Sequence, residues 1–205
     1  MSRGFHPRHL AWSRFVLGFV LVLGVAPQAW ALITLLPTGS PRQLIMRVGS
    51  ADTTVNKVVF DVLNTNVSPS PAPVVGVPGS GAPATSPAGG VEVMLQTRNS
   101  ASATTMFLNV NSSAGLSCIG GSGCGTTVIP FNTISWVSHN LDTTYPGLDI
   151  QSGRFSGATA QQLIGVRATG VSVRFSNVLI FTYDNATLYP AGQYLGRVTY
   201  TGSMP

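Results

Sequence analysis

Cys118 and Cys124 are the only cysteines of the 205-residue chain, and they enclose Ile-Gly-Gly-Ser-Gly. Two thiols so placed can close a disulfide, act as a redox pair or contribute to a metal site. A redox pair is normally Cys-x-x-Cys, and zinc needs more ligands than Cys118 and Cys124 provide. In an oxidising compartment a disulfide is the expected state. Gly120, Gly121 and Gly123 allow the tight loop that brings the sulfurs together. The chain-entropy model assigns a loop of this size about 2–2.5 kcal/mol.

Acid–base chemistry has fewer footholds. His139 is the only histidine beyond residue 31. With Ser138 and Asp142 it has the side-chain types of a hydrolase site, but no nucleophile elbow accompanies it. A single histidine in a polar loop is more often simply solvated, and that is the preferred reading. Asp142 and Asp149 with backbone carbonyls would suit Ca²⁺, yet the spaced acidic loop of such sites is missing. Glu92 is the sole glutamate. For glycoside hydrolysis it would have to pair with Asp52, Asp61, Asp142, Asp149 or Asp184, and the spacing favours none. No catalytic residue, metal site or cofactor is assigned, and the chain is expected to be non-enzymatic. Trp136 and Tyr145 are candidate ligand contacts, able to stack on a sugar. Ile134 and Trp136 share a strand face, however, so burial of Trp136 in a core is the competing expectation. Asn66-Val-Ser, Asn111-Ser-Ser and Asn185-Ala-Thr match the glycosylation sequon, as an Asn/Ser/Thr-rich chain will by chance.

The elements that must hold these residues begin after a leader. Arg3, Arg8 and Arg14 precede the apolar run Phe15 to Pro27, and Ala29-Trp-Ala31 places small residues at −3 and −1. This is the pattern of a secretory signal peptide, 1–31, cleaved after Ala31. Its apolar core is well short of the ~20 residues that span a bilayer. No later segment is apolar enough to span, so no integral membrane segment is expected after cleavage. The expected location is secreted or at the cell surface, by way of the periplasm of a bacterial host. Without the leader, eight basic residues face six acidic ones, a net charge of +2. They are scattered singly, which excludes the basic patch a nucleic-acid partner requires.

Residues 32–205 suit one domain. Charged residues make up 8% of the chain, far below the ~25% of ordinary soluble domains, and little charge is left to keep sheet edges from pairing. Leu32 to Leu36 is a short apolar start cut off by Pro37. Strands are expected over Gln43–Val48, Val55–Leu63, Val91–Thr97, Thr104–Val110, Val128–Phe131 and Thr133–Val137. The Pro/Gly/Ala/Ser segment at about 68–90 is expected to be a mobile loop inserted between strands. Ala158–Ile164 reads as one helical turn. Val171–Tyr183 and Gln193–Thr201 are two further strands, expected to be joined by a chain reversal through the turn formers Asp184 to Gly192. There Pro190 and Gly192 supply a fixed φ and a permissive residue. In the last strand Tyr194, Gly196, Val198 and Tyr200 fall on one face, and Leu195, Arg197, Thr199 and Thr201 on the other. These segments make an all-β chain, an antiparallel Ig-like β-sandwich of roughly seven to nine strands.

Tyr189-Pro-Ala-Gly-Gln-Tyr-Leu-Gly-Arg-Val-Thr-Tyr200 resembles the closing strand of bacterial fimbrial subunits and related pilin-like surface β-sandwiches. The resemblance covers about the last tenth of the chain. It implies an adhesive or structural subunit that joins like subunits or other surface proteins by β-strand addition. The candidate donor strand is then Leu32, Ile33 and Leu35 with their neighbours. The chain departs from that family in the prolines Pro37 and Pro41, in its local cysteine pair and in the distance of Tyr200 from Pro205. The alternative is a stand-alone secreted β-sandwich that binds carbohydrate or another ligand through its loops.

Overall fold

The computed structural model describes residues 35–37, 43–49, 57–68, 70–98, 104–143, 147–168 and 172–205. The expected signal peptide with Ala29 and Ala31 lies outside the described residues, as do Leu32, Ile33 and Tyr145. In chain order the strands are β1 (Leu35–Pro37), β2 (Gln43–Val48), β3 (Val58–Val59), β4 (Val74–Val75), β5 (Val77–Pro78), β6 (Val91–Arg98), β7 (Thr104–Asn111) and β8 (Leu116–Cys118). Then come β9 (Val128–Ile129), β10 (Ile134–His139), β11 (Gly153–Arg154), β12 (Gln161–Ala168), β13 (Arg174–Tyr183), β14 (Tyr194–Gly196) and β15 (Thr199–Ser203). Seven of them, β2, β6, β7, β10, β12, β13 and β15, run five residues or longer. The other eight are two or three residues long, and turn spacing in the sequence points to seven to nine strands in all.

Among the described residues all pairings are antiparallel. The larger sheet has the order β1-β2-β6-β13-β10-β11, and β4 also pairs with β13, through Thr182↔Val75 and Tyr183↔Val74. A second sheet is β12-β7-β15, and β14-β8-β9 form a third. Thr199 pairs with Asn111 and Gly196 with Leu116, so the closing strand passes from β8 to β7, broken only at Arg197–Val198.

Alternation places the core between the layers. Val91, Val93, Leu95 and Thr97 of β6 are buried, whereas Glu92 and Gln96 are half-buried. Phe175, Leu179, Phe181 and Tyr183 of β13 share their cluster, as do Met106, Leu108 and Val110 of β7 and Ile164 and Val166 of β12. A Cβ placed on Gly202 of β15 would lie 2.9 Å from Leu95 Cδ1, 3.4 Å from Leu44 Cδ2 and 3.6 Å from Met46 Sδ. The small sheet therefore lies directly on β2 and β6, as sandwich layers do. In the closing strand Tyr200 is buried and Tyr194, Gly196 and Val198 are half-buried, while Leu195, Arg197, Thr199 and Thr201 are exposed. The period of two read from the sequence is the period found.

Four expectations are corrected. The segment expected to form a helical turn contributes Gln161 to Ile164 to strand β12, because seven residues of β12 pair with β7 from Gln161↔Val110 to Ala168↔Thr104. Ladder bonds and burial outweigh a weak local preference for helix. Within the described part of Val55–Leu63, the strand is confined to Val58–Val59. The Pro/Gly-rich insertion packs instead of projecting as a mobile loop: Val74 is buried, and the Gly76 N–H donates to the Phe181 carbonyl at 2.8 Å. Glycine permits that approach, since a Cβ on Gly76 would sit 2.6 Å from Val58 Cγ1 and 2.8 Å from Phe60 Cε1. Finally, the strands on either side of Asp184–Gly192 do not pair with each other. β13 lies in the large sheet and β15 in the small one, so the connection crosses between layers.

Candidate functional site

Buried polar side chains gather where β10 ends and residues 140–143 and 147–152 lie against β10 and β13. In β10, Ile134, Trp136 and Ser138 are buried, and Ser138 and His139 fall on opposite faces because neighbours in a strand alternate. The Ser138, His139 and Asp142 grouping is thus not assembled into a nucleophile–base pair. Ser138 stands opposite Leu179 of β13, and Asn177 lies two residues earlier on the same face.

Asn177 is fully buried, and its amide is fully employed. Its Nδ2 donates to Asp149 Oδ1 at 2.8 Å and to the Asn140 carbonyl at 3.4 Å, and its Oδ1 accepts from the Ile150 N–H at 2.9 Å. Asp149, also buried, accepts from the Asp142 N–H on Oδ2 at 2.7 Å. Asn140 adopts a φ of 61° and donates its Nδ2 to the Ser86 carbonyl at 2.8 Å, tying the insertion to the same corner. The Ser138 N–H donates to Ser152 Oγ at 2.9 Å. The Ser138 hydroxyl is the one buried side-chain polar atom among the described residues with no hydrogen-bond partner. This network ties residues 140–142 and 149–152 to β10 and β13. Its carboxylate oxygens are engaged by N–H donors, and among the described residues no three His, Cys, Asp or Glu side chains come close enough to hold a metal ion.

Trp136 belongs to this scaffold. It is 4% exposed, and its Nε1 donates to the Gln151 carbonyl at 2.8 Å. Its ring meets Phe155 at 5.0 Å and Phe181 at 6.5 Å, and Phe155 stacks on Phe181 at 5.9 Å. The ligand-contact role considered for Trp136 is therefore corrected: no face of the ring is open to a sugar. Burial raises the pKa of Tyr183 at the end of the same face, helped by Tyr189, Tyr194 and Asp184, and burial also raises that of Tyr200.

Cys118 and Cys124 form a disulfide, with Cα atoms 5.7 Å apart. The loop it closes is pressed against the turn before β14. The Ile119 N–H donates to the Gln193 carbonyl at 2.8 Å, and the Gln193 N–H donates to Ser122 Oγ at 3.1 Å. A Cβ on Gly192 would lie 2.5 Å from Cys124 Sγ and 3.0 Å from Cys124 N. The Pro-Ala-Gly turn thus requires its glycine for contact with the disulfide, and the Tyr194 hydroxyl closes the turn by donating to the Pro190 carbonyl at 2.7 Å.

The three sequons differ. Asn185 is buried at a φ of 52°, and its Nδ2 donates to the Asn66 carbonyl at 2.7 Å and the Ala72 carbonyl at 3.2 Å. Asn66 accepts the Leu63 N–H on Oδ1 at 2.9 Å. Asn111 alone is exposed. Leu35 belongs to β1, which pairs with β2 of its own chain through Leu35↔Ile45, Leu36↔Leu44 and Pro37↔Gln43. Local pattern missed Asn177, Asn140, Asn185 and Ser152 as determinants of loop position. For Asn177 a signal existed, since it alternates in phase with Phe175, Leu179 and Phe181.

Among the described residues no helix is long and apolar enough to cross a membrane. No protein-family model, no curated protein and no solved structure matches this chain.

Proposed function

We propose that this chain is an exported, non-enzymatic structural or adhesive protein of the cell surface, a pilin-like subunit that joins like subunits by β-strand addition. The observation that carries this reading is β1. It is a three-residue edge strand that ends at Pro37 and includes Leu35 and Leu36, the last residues of the apolar run read from the sequence. An edge strand held by so few pairings can be replaced by the same segment of a neighbour, and the exchange needs only main-chain hydrogen bonds. The low charge supports the reading, because few like charges oppose edge pairing. So does the use of Trp136, Asp149 and Asn177 inside the scaffold. Carbohydrate binding by a stand-alone domain loses its best aromatic platform with Trp136 buried.

The test is to express the whole chain in a bacterial host with a C-terminal epitope and probe intact cells with antibody and added protease. The expected result is a product cleaved after Ala31 and accessible from outside. An uncleaved product confined to the cytoplasm would overturn the proposal.

A further inference from the structure

Among the described residues β12 is the longest strand with a partner on one side only: β7 pairs along one edge and no strand along the other. The other outer strands are shorter or interrupted. β1 has three residues and ends in proline, β11 has two, and β15 has five and stops just before Pro205. β12 has eight residues, no proline and no lysine, and Arg167 is its only charge. Such an edge offers a row of N–H and C=O groups with few of the devices that block pairing. The register irregularity between Gln162 and Ile164 limits the regular part of the row to Ile164–Ala168.

We propose that β12 pairs with β12 of a second copy of this chain, joining two β12-β7-β15 layers into one continuous antiparallel sheet. The edge is self-complementary under a two-fold axis. Directly opposed residues of an antiparallel pair lie on the same face, so the axis must fall on a single residue. Centred on Val166, it uses the whole row from 164 to 168 and sets Arg167 opposite the second copy's Gly165. Centred on Arg167 it would oppose like charges; centred on Gly165 it would run into the irregularity. Gly165 and Arg167 both lie on the outward face and are exposed. A Cβ on Gly165 would be 2.8 Å from Gln162 Nε2 and 3.1 Å from Phe107 Cδ1 and Cε1, so the phenyl ring lies beside the glycine together with the end of a flexible glutamine side chain. The second copy's Arg167 then has an aromatic surface for its guanidinium and stem. The β12 edge lies in a different sheet from β1, and the pairing does not depend on strand exchange there.

The test is sedimentation of the exported chain from about 1 to 200 μM beside G165K and G165E, with a thermal midpoint for each. The two variants add a side chain at the same position and share its steric cost within one chain. Their effects on a dimer differ, because residue 165 faces the second copy's Arg167 twice per dimer. Wild type is expected to double its mass reversibly as concentration rises, whichever species strand exchange at β1 has produced. G165K should weaken the dimer roughly tenfold or more and G165E should not, and the gap should close in about 1 M salt. A wild type that stays monomeric throughout, or two variants weakened equally, overturns the proposal. If neither variant folds, amide exchange of wild type decides. Residues 164–168 must exchange more slowly as concentration rises while β15 does not change, and concentration-independent rates refute the pairing.

Discussion

Asn177 and Ser138 are buried polar residues in one corner of the sheet, and their removal should have opposite effects. Asn177→Leu keeps approximate volume but deletes two short hydrogen bonds and one longer one. It strands the Ile150 N–H and one oxygen of the Asp149 carboxylate. A buried group left unsatisfied costs roughly 1–3 kcal/mol, more when charged, so the loss should be about 3–5 kcal/mol. That is a large share of the 5–15 kcal/mol typical of domains. Ser138→Ala removes a hydroxyl that has no partner in the folded chain but is solvated in the unfolded one. It should be neutral or stabilise by up to about 1 kcal/mol. Urea unfolding followed by fluorescence reads both, because Trp136 is the only tryptophan beyond residue 31 and lies in the same cluster. Asn177→Leu within about 1 kcal/mol of wild type, or Ser138→Ala destabilising by more than about 1.5 kcal/mol, would refute the reasoning.

Other substitutions test the packing of the closing strand. A Cβ on Gly196 would meet the Gly115 carbonyl oxygen at 2.4 Å, and backbone cannot rotate away. Gly196→Ala should therefore cost about 3 kcal/mol or more, whereas Gly202→Ala, facing only movable side chains, should cost less than about 1.5 kcal/mol in the same urea assay. Replacing Cys118 and Cys124 together by serine should lower stability by about 2–2.5 kcal/mol, and reducing agent should then leave the variant's unfolding midpoint unchanged. Burial raises the Tyr200 pKa above the ordinary value near 10. The contribution is therefore complete below about pH 10 and is lost as pH rises above it, when the unfolded chain releases the proton first. Tyr200→Phe should flatten the alkaline decline in stability, read as thermal midpoint from pH 8 to 12.

What could be read from the sequence follows the physical range of each signal. β2, β6 and β7 were legible because apolar and polar residues alternate along one strand, and the closing strand's faces were legible for the same reason. The disulfide was legible from the expected oxidising compartment and from its glycines. β12 was not, since Gln161-Gln-Leu-Ile164 alternates poorly and an irregularity interrupts its pairing at that point. The packed insertion was hidden because its hold comes from Phe181, Asn140 and Asn185, far along the chain. The Asp149–Asn177 contact joins residues 28 apart, and no local pattern marks such a pair. Trp136 showed the strand rule in conflict with the chemistry of its ring, and the strand rule prevailed.

The central claim, assembly through the segment that contains β1, is tested most directly by light scattering and unboiled gel electrophoresis. The samples are the exported chain and a version lacking residues 32–39. The account predicts a ladder of multimers in the first, reduced in the second to the dimer that β12 can form. A full-length chain that is monomeric, or a ladder unchanged by the deletion, would contradict it.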